Sequence, residues 1–169
     1  TSHELRLAGE TDKLKWLVGL YSWGSDTDKG FVQDFADILP GFISRNTSEG
    51  GTSDSLGAFT QLTWSFSDTL RLTGGLRYSE DEQDSGTGVS GLERPGSSLV
   101  AQPYEASVGE WDDTSYKLAL EYDLNDDSMV YGGISTGYKT GGLNSPQVDT
   151  TFEPEEVEAY ELGSKNILM

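Results

Sequence analysis

The sequence has no cysteine and only one histidine, His3, among its 169 residues. The lack of cysteine excludes disulfides, thiolate metal sites and cysteine nucleophiles. With a single histidine, a transition-metal cluster or a Ser/His/Asp triad would have to be built on His3, near the start of the chain. Adjacent carboxylates fall in predicted turns and loop ends, where nothing encloses them to shift a pKa. The sequence therefore predicts no enzyme activity, no resident metal and no cofactor.

Long apolar runs and positive charge are also scarce. The longest apolar stretch covers six residues, 16–21, and includes Gly19, whereas a transmembrane helix needs about 20. A membrane-spanning helix is therefore excluded. Lys and Arg together number 11 against 29 Asp and Glu, which gives a formal net charge of −18. Nucleic-acid binding needs clustered basic residues, so we expect no nucleic-acid partner.

What the sequence does contain is a repeated alternation of apolar and polar residues. Its clearest example is residues 70–78, LRLTGGLRY, in which apolar positions alternate with Arg71, Thr73 and Arg77. A period of two places the apolar side chains on one face of a β-strand and the polar ones on the other. Seven such strands are predicted, at about residues 3–9, 14–23, 55–66, 70–80, 113–123, 129–139 and 156–167.

The connections between the predicted strands alternate in length. Short turns are predicted at residues 10–13, 67–69 and 125–127, and long loops at about 24–54, 85–111 and 142–154. Transmembrane β-barrels show this asymmetry, with short periplasmic turns and longer extracellular loops. We therefore predict an all-β fold, an antiparallel meander of about seven strands that forms a partial transmembrane β-barrel. A soluble sheet with one buried face is the alternative.

Two shorter patterns lie within the predicted loops. The apolar spacing in residues 31–39 predicts a short helix, which Pro40 and Gly41 would end. Residues 86–91 match the pattern G-x-G-x-x-G, but an acidic run precedes them and Pro95 follows soon after. A dinucleotide site needs a strand before this pattern and a helix after it. We therefore interpret residues 86–91 as a flexible loop.

Four parts of the chain carry longer motifs. They are HELRL at residues 3–7 with LKWLVGLY at 14–21, LTGGLRY at 72–78, VYGGISTGYKTGGLN at 130–144, and FEPEEVEAYELGSK at 152–165. In this order they resemble strand motifs of the TonB-dependent outer-membrane receptors, and the last of the four is the most specific. Together the matches cover nearly all of the chain except the loops.

The resemblance implies a 22-stranded barrel with an N-terminal plug, energised from the inner membrane by the TonB complex. Its function would be uptake of iron–siderophore complexes or a similar scarce nutrient across the outer membrane of a Gram-negative bacterium. Because about seven strands are predicted, residues 1–169 are expected to be an internal fragment of the barrel domain, without the plug and the C-terminal strands. The implied partners are outer-membrane lipid, the TonB complex through the missing plug, and a ferric siderophore or similar small ligand.

In such a receptor the two faces of the strands would meet different surroundings. The residues predicted to face lipid are Leu62, Leu72, Leu76, Leu118, Leu120 and Ile134. The residues predicted to face the plug or the lumen are Gln61, Thr63, Arg71, Arg77, Lys117, Glu121, Ser135 and Lys139.

Candidate ligand contacts follow from the same resemblance. The aromatic residues of the predicted outer loops are candidates for gripping a siderophore: Phe31, Phe35, Phe42, Tyr104, Trp111 and Phe152. The inward cations are candidates for guiding an anionic ferric chelate or pairing with plug carboxylates, although pairing with wall acids such as Glu121 is favoured: Arg71, Arg77, Lys117 and Lys139. Two alternative functions stay open, a passive porin-like outer-membrane barrel and a soluble β-sandwich carbohydrate-binding module.

Overall fold

The computed structural model describes the backbone of residues 1–34, 43–85, 88–93, 102–104, 107–144 and 151–167. Side chains are described for residues 1–27, 50–84, 107–144 and 151–167. Within these residues, no helix is both long enough and apolar enough to cross a membrane.

The described backbone consists almost entirely of β-strands. Their bounds are β1 Ser2–Glu10, β2 Leu14–Asp34, β3 Ile43–Ser65, β4 Leu70–Ser85, β5 Gly88–Glu93, β6 Gln102–Tyr104, β7 Ser107–Asn125, β8 Ser128–Lys139, β9 Gly142–Leu143, β10 Thr151–Phe152 and β11 Glu155–Asn166. Seven long strands lie side by side in chain order, β1-β2-β3-β4-β7-β8-β11, and each neighbouring pair is antiparallel. The predicted fold class, an antiparallel meander of seven strands, is confirmed.

Three tight turns join neighbouring strands, and all three lie at the same end of the strands. In the first, the Thr11 amide donates to the Leu14 carbonyl over 2.8 Å, and in the second the Phe66 amide donates to the Leu70 carbonyl over 2.9 Å. In the third, the Asp127 amide donates to the side-chain oxygen of Asn125 over 2.9 Å. In a meander, successive connections lie at opposite ends of the strands. The longer connections therefore all lie at the end opposite the tight turns, as the sequence predicts.

The strands extend further than predicted at the end where the long connections lie. Most of the region predicted as a loop at residues 24–54 is strand, because β2 continues to Asp34 and β3 begins at Ile43. The region predicted as a loop at 85–111 contains β5, β6 and the start of β7, and the one at 142–154 contains β9 and β10. A ribbon that meets water on both faces has no apolar face, so its sequence shows no alternation.

The helix predicted over residues 31–39 is wrong where the structure describes the chain. Residues 31–34 belong to β2, and Phe31 and Asp34 lie opposite Asn46 and Ile43 of β3. Short apolar runs do not distinguish a helix from a strand, and here pairing with β3 satisfies the backbone hydrogen bonds. The remaining residues of the predicted helix, 35–39, lie outside the described part of the chain.

The long strands form a single layer whose two faces differ in polarity. One row of directly opposed residues, each on the next strand of the sheet, is Trp16, Leu62, Gly74, Leu118, Ile134 and Tyr160. The adjacent row, on the other face, is Lys15, Thr63, Thr73, Ala119, Gly133 and Glu161. We refer to the first as the outer face and to the second as the inner face. The residues predicted to face lipid all lie on the outer face, and those predicted to face the lumen all lie on the inner face.

The outer face is apolar and uncovered. Among the described side chains, no hydrophobic one is buried; Leu76 is 56% exposed and Leu162 is 89% exposed. A soluble sheet would cover such a face with a second layer, yet no second sheet covers it in the described residues. The β-sandwich alternative therefore does not fit this fold, and an apolar face of this extent marks a contact surface.

Candidate functional site

The apolar part of the outer face has the length that a membrane-crossing β-strand needs. On β4, apolar or glycine positions on this face run from Leu70 to Tyr78, about 27 Å along the strand at about 3.4 Å per residue. Transmembrane β-strands need about 9–11 residues. Beyond Tyr78 the outer face becomes acidic at once, since Glu80 lies directly opposite Asp112 on β7. The outer face thus carries an apolar belt with a sharply charged border on the side of the long connections.

The inner face near the tight turns carries a clamp of three charged residues. Arg71 donates through Nη1 and Nη2 to the two carboxylate oxygens of Asp123, over 2.6 and 2.8 Å, and through Nε to Glu121 Oε2 over 3.2 Å. The side chains of Arg71 and Asp123 are each 27% exposed. This paired geometry is the strong form of a charged hydrogen bond. The favoured prediction for Arg71, pairing with the wall acid Glu121, is confirmed, and Asp123 is a partner that the sequence reasoning missed.

The other inward cations have different surroundings. Arg77 donates through Nε to Ser79 Oγ over 2.9 Å, and its guanidinium carbon lies 5.9 Å from the centre of the Tyr21 ring. Lys139 Nζ lies 3.2 Å from Glu155 Oε1. Lys117 has no carboxylate within ion-pair distance among the described side chains. Its neighbours on the same row are Gly75 and Ser135, which leave space around it.

The aromatic candidates lie in strands, not in loops as predicted. Phe31 belongs to β2, Tyr104 to β6, Trp111 to β7 and Phe152 to β10. The side chains of Phe31 and Tyr104 are not described, and Phe35 and Phe42 lie outside the described residues. The structure brings the two described candidates, Trp111 and Phe152, to the same short segment of chain, residues 140–143.

Residues 140–143, here called the strap, lie against the inner face. The pairing of β8 with β7 ends where Ser135 lies opposite Lys117, although β8 stays paired with β11 up to Lys139. Beyond that point the chain crosses β7, because Gly141 lies against the Trp111 ring, and Trp111 is on the inner face with Lys117. β9 also lies beside β4. The strap therefore occupies part of the space in front of the inner face, at the end of the strands where the long connections lie.

Two consecutive glycines make the strap fit. A β-carbon on Gly141 would lie 2.6 Å from Trp111 Nε1, and one on Gly142 would lie 2.6 Å from Phe152 Cε1. Both distances are far below van der Waals contact, so only glycine lets the backbone approach the two rings. Glycines inside a strand pattern often mark such close approaches. The two consecutive glycines at 141–142 are therefore the feature of the sequence that could have indicated this close approach.

The strap also buries polar groups. The hydroxyl oxygens of Tyr138 and Thr140 are buried and have no hydrogen-bond partner among the described residues. Buried hydroxyls normally have a partner, which is often an ordered water. The end of β8 and the start of the strap therefore bury two hydroxyl groups, those of Tyr138 and Thr140.

The comparison with known proteins identifies the family. Residues 2–168 match the family model described as "TonB dependent receptor-like, beta-barrel". The pesticin receptors of Yersinia enterocolitica (serotype O:8 / biotype 1B) and of Yersinia pestis are each 28% identical to this chain, over 96% of its length and 23% of theirs.

A solved structure supports the same assignment. The crystal structure of the ferric yersiniabactin uptake receptor FyuA from Yersinia pestis superposes with a TM-score of 0.80 at 26% identity, covering 99% of this chain and 26% of that one. The chain thus spans about a quarter of the length of the proteins that it matches, and those proteins are named as receptors, not as enzymes. This chain belongs to the TonB-dependent receptor family and forms part of its β-barrel.

Proposed function

We propose that this chain is a wall segment of an outer-membrane receptor that takes up iron–siderophore complexes, or a similar scarce nutrient, in a Gram-negative bacterium. The observation that carries the proposal is the combination of the family match over residues 2–168 with an uncovered apolar belt of membrane height. One similar solved structure is named as a ferric yersiniabactin uptake receptor, which supports a ferric chelate as the substrate class. The belt supports outer-membrane lipid as the partner of the outer face.

The segment would act as part of a longer receptor. It spans 23% of the pesticin receptors, which leaves ample length for further strands and for a plug domain inside the barrel. The TonB complex would then act through that plug, and residues 1–169 would be an internal part of the barrel domain. The polar inner face, on which Lys117 has no described ion-pair partner, is suited to contact a plug or a passing ligand.

The residues of the inner face would divide into two roles in this function. The clamp of Arg71, Glu121 and Asp123 would stiffen the wall, because its charges are satisfied within the sheet. The end of the strands with the long connections, which includes Trp111 and Phe152 at the strap, would meet the ligand first, since the long connections of these barrels face the outside of the cell. Further ligand contacts are proposed at three other aromatic residues: Phe31 of β2, Tyr104 of β6, and Phe35.

Iron uptake in cells tests the function. The full-length receptor is expressed in a Gram-negative host that lacks its own siderophore receptors, and uptake of radioactive iron is measured from hydroxamate, catecholate and phenolate siderophores. A second host lacks TonB as well. We expect uptake of at least one chelate in the first host and its loss in the second. Equal uptake in both hosts would instead indicate a passive porin-like barrel and would contradict the proposal.

A further inference from the structure

Two adjacent rows of the inner face, between the clamp and the strap, carry cations but no carboxylate. We call these two rows of directly opposed residues the cationic band. Its members are Ala8, Leu17, Gln61, Gly75, Lys117, Ser135 and Ala159 in one row, and Arg6, Gly19, Phe59, Arg77 and Ser115 in the other. The rows on either side include carboxylates, such as Glu161 and Asp113. In a chain with 29 Asp and Glu against 11 Lys and Arg, the band is a local reversal of charge.

Two of the three cations in the band lack an acidic partner. Arg6 pairs with Glu4, but neither Arg77 nor Lys117 has a carboxylate within ion-pair distance among the described side chains. Lys117 lies opposite Gly75, two residues before Arg77, and the Cα atoms of such diagonal neighbours are about 7–8 Å apart. Two like charges on adjacent strands repel one another. A negatively charged group that contacts both would therefore be stabilised.

The guanidinium of Arg77 is already held in place. Its Nε donates to Ser79 Oγ over 2.9 Å, and Ser79 is buried. Its guanidinium carbon lies 5.9 Å from the centre of the Tyr21 ring. Among the described residues, its Nη1 and Nη2 groups have no hydrogen-bond partner. The same two groups of Arg71 bind a carboxylate through two parallel bonds, which is the strong form of this contact, so Arg77 is positioned to bind another.

The two cations share one recess of the inner face. It has a volume of about 330 Å³, and both Arg77 and Lys117 line it. Gly75, Ser115 and Ser135 also belong to the lining, and their small side chains leave room beside the lysine. The recess can thus admit side chains of another segment, and its charge favours carboxylates.

Most of the receptor lies outside this structure, because the chain spans 23% of the pesticin receptors. In the function proposed above, part of that remainder fills the barrel as a plug and covers the inner face. A cation that is shut off from water without a counter-charge is costly. The segment that covers the band is therefore expected to supply the missing carboxylates.

Building on that function, we propose that the recess docks an acidic segment of the receptor's own plug. One carboxylate of the segment binds Nη1 and Nη2 of Arg77, and a second pairs with Lys117. The clamp does not compete for these carboxylates, because the charge of Arg71 is satisfied within the sheet. Arg71 thus holds the wall together, whereas Arg77 and Lys117 hold the plug against the wall.

Cross-linking in the purified full-length receptor identifies the partner of Lys117. A carbodiimide reagent joins a lysine to a carboxylate only where the two groups are in contact, and mass spectrometry of the digest locates the joined residues. We expect Lys117 to be joined to an aspartate or glutamate outside residues 1–169. Lys139 and Glu155, whose charged atoms lie 3.2 Å apart, are the internal control and should be joined to each other.

Hydrogen exchange measures whether the two cations hold the plug. Arg77→Gln and Lys117→Gln should each speed amide exchange in at least one segment of the plug by about tenfold, as expected for the loss of one charged contact. Exchange in β4 and β7 should stay unchanged, which shows that the wall is folded. Lys15→Gln is the matched control, because Lys15 is an exposed cation of the inner face nearer the tight turns. It should leave exchange in the plug unchanged.

Two outcomes would overturn the inference. They are cross-links that join Lys117 only to residues within 1–169, and exchange in the plug that neither Arg77→Gln nor Lys117→Gln accelerates. Either outcome would leave the recess to water or to a dissolved anion. Neither measurement depends on TonB or on iron. A receptor that imports iron in a TonB-dependent way but shows one of these outcomes would retain the proposed function and refute only this inference.

Discussion

An arginine introduced at the middle of the apolar belt should destabilise the receptor strongly. Leu62 lies opposite Gly74, which is midway between Leu70 and Tyr78, so its side chain is expected at the centre of the bilayer. An arginine on the lipid face at this depth costs about 2–4 kcal/mol. We therefore expect Leu62→Arg to reduce the folding equilibrium constant by about 30- to 700-fold. The measurement is denaturant unfolding of the full-length receptor in lipid vesicles, followed by tryptophan fluorescence.

The adjacent residue provides the matched control. Gln61 lies on the inner face opposite Gly75, which leaves space for a longer side chain. Gln61→Arg adds the same group one residue away and should change stability by no more than about 0.5 kcal/mol. Equal destabilisation by the two variants, or a larger effect of Gln61→Arg, would show that the outer face does not meet lipid and would refute the reasoning.

Two further predictions concern the inner face and use the same unfolding measurement. Arg71→Gln should destabilise the receptor by about 1–2 kcal/mol, because it leaves two partly buried carboxylates without their cation. The control, Arg6→Gln, breaks an exposed pair and should destabilise the receptor by less than about 0.5 kcal/mol. Equal effects of the two variants would contradict a structural role for the clamp. Gly133→Ala should also destabilise, by about 1–3 kcal/mol, because a β-carbon there would lie 2.9 Å from a backbone oxygen of β7. Gly74→Ala, with no atom within 4 Å of the added carbon, should be neutral or slightly stabilising, so a cost similar to that of Gly133→Ala would refute the packing argument.

The sequence predicted the membrane-crossing part of each strand because the two faces meet different solvents. Around Leu72 and Thr73, lipid on one side and a polar interior on the other impose a period of two. The same period of two correctly placed Arg71 and Glu121 on one face of the sheet. It did not identify Asp123, because the diagonal bond from Arg71 depends on the register between strands far apart in the chain.

The outer extensions and the strap could not be predicted in the same way. Residues 24–34 of β2 and the facing part of β3 carry no alternation of apolar and polar residues that would mark them as strand. The bend that carries Gly141 onto Trp111 is a tertiary contact between β7 and the segment after β8. Gly141 and Gly142 are consistent with such a contact, but the ring that occupies the space cannot be known from the local sequence.

The most direct test of the central claim, that the outer face meets lipid, is a spin-label scan of β4. The segment has no cysteine of its own, so single cysteines can be introduced and labelled at each of residues 72–77 in the full-length receptor in vesicles. We predict that accessibility to oxygen, which partitions into lipid, is highest at 72, 74 and 76, and that accessibility to a water-soluble nickel reagent is highest at 73, 75 and 77. A profile without this alternation, or with the opposite phase, would contradict the account.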